Sequence, residues 1–86
     1  MTPPDGMKIP RDVSGRELAA AMARLGYAVS YQSGSHLRLT TQLDGEHHVT
    51  IPAHDHLKIG ILNAIIRDGE FHHGLSRPQL MQVLFQ

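Results

Sequence analysis

Two short glycine turns separate three runs of alternating polar and apolar residues in the middle of this chain. The turns contain Gly34 and Gly45, and the runs cover residues 27–32, 36–41 and 47–51. Alternation with a period of two is typical of a half-buried β-strand. The pattern therefore predicts three antiparallel strands joined by hairpins, with one apolar face and one polar face.

Matching the apolar sides of the first two strands sets their predicted register. A three-residue loop at residues 33–35 puts Val29 opposite Leu39, so that apolar side chains meet on one face. The same loop puts Tyr31 opposite Leu37. A two-residue loop would mix the two faces, and we therefore expect the longer loop.

The second hairpin follows the same logic. Face matching favours a three-residue turn at residues 43–45, whose glycine adopts the left-handed conformation. This register places Arg38 opposite Thr50 and His36 near Pro52. Pro52 ends the sheet, because proline has no N–H to donate to a neighbouring strand.

A helix is predicted before the strands. Ser14 and Glu17 have the spacing of a capping box, in which each side chain accepts a hydrogen bond from the other residue's backbone. Apolar residues then follow at helical spacing as far as Leu25, and Gly26 provides a left-handed stop. We therefore expect the first helix over about residues 15–25.

Two more helices are predicted after the strands. The apolar stripe that follows Lys58 predicts the second helix. Gly69 is one candidate for its end, but Gly74 followed by Leu75 is typical of a Schellman motif, and we expect the helix to continue to about His73. A second capping box, formed by Ser76 and Gln79, predicts a short third helix.

This order of elements predicts the fold class. Helices on one face of a three-stranded antiparallel sheet form a two-layer α+β sandwich in an α-β-β-β-α order, here with an extra short C-terminal helix. The other face of the sheet stays open to solvent or to a partner. The residues predicted on the open face are Ser30, Gln32, His36, Arg38, Thr40, His48 and Thr50.

Composition limits the classes of function. The chain has 86 residues and no cysteine, which predicts one small domain over residues 7–86, without disulfides, after a disordered leader at residues 1–6. No apolar run is long enough to cross a membrane, and we expect a cytoplasmic protein. The 8 basic and 8 acidic side chains balance, so that neither strong nonspecific binding of nucleic acid nor DNA binding by the chain alone is expected.

The strongest candidate for chemistry is His36, at the start of the second strand. Its imidazole shares a face with the guanidinium of Arg38, two residues further along the strand. A base that titrates near neutral pH beside a permanent cation can handle a phosphate group. Lys58 provides a second cation. Gly34, followed by Ser35, allows the turn to approach a backbone phosphate closely.

Other histidines are candidates for supporting roles. His54 and His56, in the connection after the third strand, are candidates for a second proton-transfer group, as is Lys58. With Asp55 they resemble a metal site only weakly, because two ligands in a loop without a third partner do not define one, and no metal or cofactor is expected. The remaining histidines are interpreted as solvated: His47, His48, His72 and His73.

Several short motifs occur along the chain in a characteristic order. They are Leu25-Gly26-Tyr27, Gly34-Ser35-His36, Thr50-Ile51-Pro52 with His54, Leu57-Lys58-Ile59-Gly60, and Gly74-Leu75-Ser76-Arg77. In this order and spacing they resemble the HicA, or YcfA-like, family of bacterial toxins over nearly all of residues 7–85. The resemblance implies a fold like the double-stranded RNA-binding domain, and it implies that activity depends on His36.

The resemblance also implies a function. HicA-like toxins are ribonucleases that cleave messenger RNA and are neutralised by a HicB-like antitoxin encoded beside them. The expected function is therefore a metal-independent endoribonuclease with His36 as general acid or base. The alternative is a noncatalytic module that uses the same fold to bind RNA or the antitoxin.

Overall fold

The computed structural model describes residues 12–86, and its elements follow the predicted order. The elements are helix α1 (Gly15–Met22), which continues as a 3-10 turn (Ala23–Leu25), strands β1 (Ala28–Ser33), β2 (His36–Thr41) and β3 (His47–Pro52), and helices α2 (Ile59–His73) and α3 (Arg77–Phe85). The antiparallel sheet has the strand order β1-β2-β3. The predicted leader, residues 1–6, lies outside the described residues.

Two capping boxes start α1 and α3, as the sequence predicts. The Ser14 hydroxyl accepts from the Glu17 N–H at 3.0 Å, and the Glu17 carboxylate accepts from the Ser14 N–H at 2.9 Å. Ser76 and Gln79 form the same pair of hydrogen bonds. Each box satisfies backbone N–H groups that the helix itself leaves unpaired. The 3-10 turn after α1 ends at Gly26, whose φ is +81°.

Helix α2 continues past Gly69, as predicted, because α3 packs against it there. A Cβ atom at Gly69 would lie 3.4 Å from a methyl carbon of Leu80, so that a glycine brings the two helices close together. The helix ends at Gly74, which has a φ of +63°. The Leu75 N–H then donates to the carbonyl oxygen of Glu70 at 3.1 Å, which is the hydrogen bond of a Schellman motif.

The helices cover one face of the sheet, which confirms the α+β sandwich. Leu37 and Leu39 of β2 are buried together with Val49 and Ile51 of β3. Side chains from all three helices complete this core, including Leu18, Met22, Leu62, Ile66, Leu80 and Leu84. Over residues 12–86, no helix combines the length and the hydrophobicity needed to span a membrane.

The hairpin between β2 and β3 has the predicted register. The predicted pairs between these strands are present, including His36 with Pro52. In the turn at residues 43–45, the Gly45 N–H donates to the carbonyl oxygen of Gln42 at 3.1 Å. Gly45 has a φ of +99°, a conformation that glycine adopts at little cost.

The first hairpin differs from the prediction. A two-residue loop, Gly34 and Ser35, joins β1 to β2, and Ser33 therefore pairs with His36. Gly34 has a φ of +55°, and a type II′ hairpin turn places glycine at this position. The predicted three-residue loop is wrong.

A β-bulge in β1 explains the difference. Val29 pairs with Leu39, as predicted, but Ser30 has no pairing partner in β2 and is an extra residue in β1. From this point the alternation of side chains shifts by one residue. Tyr31 therefore pairs with Arg38 on the open face, whereas Gln32 lies on the helix side. Both placements correct the prediction, which had Tyr31 inward and Gln32 outward.

Helix α1 begins in direct contact with the end of β3. A Cβ atom at Gly15 would overlap the carbonyl oxygen of Pro52. The Gly15 N–H donates to the carbonyl oxygen of His54 at 2.9 Å, and the Leu57 N–H donates to that of Val13 at 2.9 Å. These backbone contacts hold the connection at residues 53–57 against the start of α1.

Replacing Gly15 should destabilise the fold strongly. In Gly15→Ala the added methyl group meets backbone atoms, which cannot rotate away as a side chain can. We expect the free energy of unfolding in urea to fall by about 3 kcal/mol, the upper end of the usual cost of overpacking.

Gly60→Ala is the matched control, because Gly60 lies in α2 with open space around it. It should raise stability by about 0.5–1 kcal/mol through helix propensity. Equal unfolding midpoints for the two variants would contradict the close contact at Gly15.

Candidate functional site

His36 lies at one end of the sheet, directly after the turn that joins β1 to β2. It is exposed, and its backbone pairs with Ser33 on one side and Pro52 on the other. The Ala53 N–H donates to the carbonyl oxygen of Ser35 at 2.6 Å. This hydrogen bond fastens the turn to the connection that follows β3. The backbone around His36 is therefore held by neighbours on both sides.

The imidazole of His36 differs from that of His48 on the same face. His48 lies 2.8 Å from the Thr40 hydroxyl through Nδ1 and 2.9 Å from the Glu46 carboxylate through Nε2. The hydrogen bonds and ion pairs found among residues 12–86 include none to the His36 ring. Both of its nitrogens are thus open to exchange a proton with a bound molecule.

Arg38 occupies the open face two residues along β2 from His36. It is exposed, and its cross-strand neighbours are Tyr31 and Thr50. The three strands contain no acidic residue, and none of the ion pairs within residues 12–86 involves Arg38. Its guanidinium is therefore available to an anionic ligand.

The three remaining predicted site residues follow β3. His54 comes directly after Ala53 and is exposed. His56 is turned toward the start of α1, where its Nδ1 lies 3.8 Å from the carboxylate of Asp12. Lys58 is exposed at the N-cap of α2. Of the residues 12–86, no three or more histidine, cysteine, aspartate or glutamate side chains are grouped so that they could hold a metal ion.

A second group of histidines surrounds Tyr27 at the opposite end of the sheet. The Tyr27 hydroxyl lies 2.7 Å from Nδ1 of His47 and 3.0 Å from Nε2 of His73. The other ring nitrogens face carboxylates: Nε2 of His47 lies 3.1 Å from Asp68, and Nδ1 of His73 lies 3.0 Å from Asp44. This histidine cluster joins β3 to the last two turns of α2 and to the 43–45 turn.

His72 completes the histidine cluster. Its ring stacks on that of His47 with 4.2 Å between ring centroids. Its Nε2 lies 3.2 Å from the carbonyl oxygen of Leu43 and 3.1 Å from that of Gly45. The interpretation of these histidines as solvated is therefore wrong for His47, His72 and His73. Sequence spacing could not reveal the cluster, because its members come together only when α2 packs on the sheet.

Burial affects the protonation of two members of this group, Tyr27 and His47. It raises the pKa of Tyr27 to about 12, with a further contribution from Asp68, so that the hydroxyl keeps its proton even in moderately alkaline solution. Burial also lowers the pKa of His47, although Asp68 offsets part of this effect. A neutral His47 that donates from Nε2 to Asp68 accepts a hydrogen bond from the Tyr27 hydroxyl at Nδ1. The partners of Tyr27 and His47 all lie within the fold, which indicates a structural role.

Comparison with known proteins supports the resemblance noted in the sequence. A family model described as the HicA toxin of bacterial toxin-antitoxin systems matches residues 15–70. This range includes α1, the whole sheet and most of α2. No curated protein and no solved structure matches the chain.

The histidine cluster should make stability depend on pH in a specific direction. The pKa of His47 is lower in the folded protein than its ordinary value of 6.5. As the pH falls below about 6.5, the unfolded chain binds a proton before folded His47 does, and stability decreases until the pH passes the folded pKa. The surrounding groups Asp68, His72 and His73 act on the same titration.

The measurement is the free energy of unfolding in urea at a series of pH values, for the wild type and for His47→Asn. We expect the slope below pH 6.5 to be shallower in His47→Asn, because the titrating ring is gone. His48→Asn serves as the control, since His48 is exposed and lies outside the cluster. Identical pH dependence in wild type and His47→Asn would contradict the assignment.

Proposed function

The chain belongs to the HicA family of bacterial toxin-antitoxin systems, and we propose that this toxin is a metal-independent endoribonuclease that cleaves messenger RNA, with His36 as general acid or base. The observation that carries the proposal is the exposed His36 ring, which takes part in no hydrogen bond or ion pair found within residues 12–86 and shares the open sheet face with Arg38. Such a toxin would act in the cytoplasm, where messenger RNA is translated.

The reaction needs only groups that the site can supply. A base removes the proton from a ribose 2′-hydroxyl, the resulting oxygen attacks the adjacent phosphorus, and the bond to the 5′-oxygen of the next nucleotide breaks. An acid then protonates that leaving oxygen. The products carry a 2′,3′-cyclic phosphate and a 5′-hydroxyl. One positioned imidazole contributes roughly 10²- to 10⁴-fold to such a proton transfer.

The cations around His36 support binding of the phosphate. Arg38 would hold its non-bridging oxygens and stabilise the negative charge that grows on them in the transition state. Lys58 would contact a neighbouring phosphate as a point charge. Gly34 and Ser35 would lie along the RNA backbone, and the Gly34 turn leaves open space where a side chain would stand.

The second proton-transfer group is more naturally His54 than His56. His54 follows Ala53, whose N–H is bonded to the turn that precedes His36. His56 instead lies beside Asp12 at the start of α1. We therefore expect His54→Ala to slow RNA cleavage more than His56→Ala does when the rate is measured under single-turnover conditions. The opposite order would reverse this assignment.

As a member of a toxin-antitoxin pair, the chain has an antitoxin partner. We propose that this antitoxin is of the HicB type and that it covers the open face around His36. Covering this face would block both the imidazole and the phosphate-binding cations. A structure of the complex in which His36 remained exposed would contradict this mode of inhibition.

The His36→Ala variant should lose cleavage and keep its fold. Because the His36 ring is exposed, its removal leaves the core intact. We expect the rate of RNA cleavage, measured with EDTA present and with 2′,3′-cyclic phosphate ends identified, to fall by roughly 10²- to 10⁴-fold. The matched control is His48→Ala, an exposed histidine on the same face, which should cleave at nearly the wild-type rate.

Three outcomes distinguish the proposals. Undiminished cleavage by folded His36→Ala would remove His36 from the catalytic role. Binding of RNA without any cleavage by the wild type would favour the noncatalytic RNA-binding module. Absence of RNA binding at low salt, together with tight binding of the antitoxin, would favour an antitoxin-binding module.

Removal of the cations should weaken RNA binding and reduce its dependence on salt. Each phosphate contact to a single strand contributes about 0.7 to the slope of log affinity against log salt concentration. In a His36→Ala background, Arg38→Ala and Lys58→Ala should each lower this slope by about that amount. Arg67→Ala is the control, because Arg67 is exposed on α2, in the helical layer. A slope unchanged by Arg38→Ala would show that Arg38 does not contact phosphate.

A further inference from the structure

The bulge in β1 places an aromatic ring on the open face that the sequence pattern did not predict there. Ser30 is the extra residue, and its hydroxyl bonds the carbonyl oxygen of Arg38 at 3.2 Å and lies 2.8 Å from the Thr40 hydroxyl. Tyr31, the next residue, pairs directly with Arg38. Side chains of directly paired residues lie about 5 Å apart at their Cβ atoms, so that Tyr31 and Arg38 leave the sheet from adjacent positions on the same face.

The two tyrosines of the chain have opposite environments. Tyr27 is 3% exposed, and its hydroxyl belongs to the histidine cluster. Tyr31 is 62% exposed on a strand at the edge of the sheet. Tyr27 is part of the core, whereas none of the side-chain hydrogen bonds or ring contacts found among residues 12–86 involves Tyr31.

The neighbours of Tyr31 favour nucleic acid over a protein as its ligand. Around Tyr31 the open face presents Ser30, Ser33 and Arg38, which are polar or cationic, and the strands carry no acidic residue. Aromatic anchors of protein interfaces are usually enclosed by other contacts that exclude water. An isolated ring beside a cation instead matches the surfaces on which unpaired bases stack while the phosphates are neutralised.

We propose that Tyr31 is a stacking platform for an unpaired base of single-stranded RNA, placed so that Arg38 holds the neighbouring phosphate and the next sugar reaches His36. This inference rests on the proposed ribonuclease function and names its substrate class as single-stranded RNA. Two residues of strand separate Arg38 from His36, roughly 7 Å, which is comparable with one nucleotide step of an extended strand. A base inside a duplex has no free face for the Tyr31 ring.

The test measures binding of short labelled RNA by fluorescence anisotropy, in a His36→Ala background that prevents cleavage. The probes are a mixed-sequence single strand and a hairpin whose stem has the same sequence. Tyr31→Ala should weaken binding of the single strand by roughly 5- to 100-fold, the usual effect of removing one base-stacking aromatic ring. Tyr31→Phe should restore most of the affinity, because phenylalanine keeps the ring and loses only the hydroxyl.

The salt dependence of binding and the steady-state kinetics distinguish a stacking contribution of Tyr31 from a contribution of charge. Tyr31→Ala should leave the slope of log affinity against log salt unchanged, since no phosphate contact is lost. In the cleaving enzyme, Tyr31→Ala should raise KM with little change in kcat, as expected when uniform binding is removed. The chain contains two tyrosines and no tryptophan, so the part of the quenching of tyrosine emission by unlabelled RNA that is lost in Tyr31→Phe reports on Tyr31.

The outcomes distinguish this inference from the proposed function. Equal affinity of Tyr31→Ala and the parent variant for the single strand overturns the stacking platform, even if the wild type cleaves RNA. A loss of affinity in Tyr31→Ala that Tyr31→Phe reverses supports it, even if no cleavage is found. A loss of antitoxin binding with undiminished RNA binding overturns it and assigns Tyr31 to the protein interface.

Discussion

The backbone contact between Gly15 and Pro52 is the constraint on which the rest of the structure depends. A glycine lets the start of α1 touch the last residue of β3, where any side chain would overlap the Pro52 carbonyl oxygen. Backbone hydrogen bonds join the connection after Pro52 to the start of α1. The hydrogen bond from the Ala53 N–H to the Ser35 carbonyl oxygen joins the same connection to the hairpin turn before His36. His36 is therefore positioned by backbone hydrogen bonds, which define a site more rigidly than a free loop does.

The two ends of the sheet use histidine in different ways. At the end near α1, the His36 ring is exposed and open to ligands. At the other end, His47, His72 and His73 surround Tyr27 and hold α2 against the 43–45 turn. The same residue type thus supports a candidate site at one end and stability at the other, because burial and partners determine what an imidazole can do.

The net charge of this HicA-family toxin is balanced, but its acidic residues are distributed unevenly over the described part of the fold. The acidic residues within the described part of the chain, residues 12–86, all lie outside the three strands. Arg38 therefore faces solvent without a carboxylate on its sheet. An equal count of acidic and basic residues argues against nonspecific attraction to nucleic acid, yet it is compatible with a sheet whose strands carry Arg38 and no acidic residue.

Local signals in the sequence determined the helices, the strands and the shared face of His36 and Arg38. Capping boxes, glycine stops and alternation act between residues close in the chain, so the capping box at Ser14 could be recognised without the fold. Tertiary structure alone decided the bulge at Ser30, the outward position of Tyr31 and the gathering of histidines around Tyr27. One inserted residue leaves the alternation of β1 looking regular, and only pairing with β2 shows where the extra residue is accommodated.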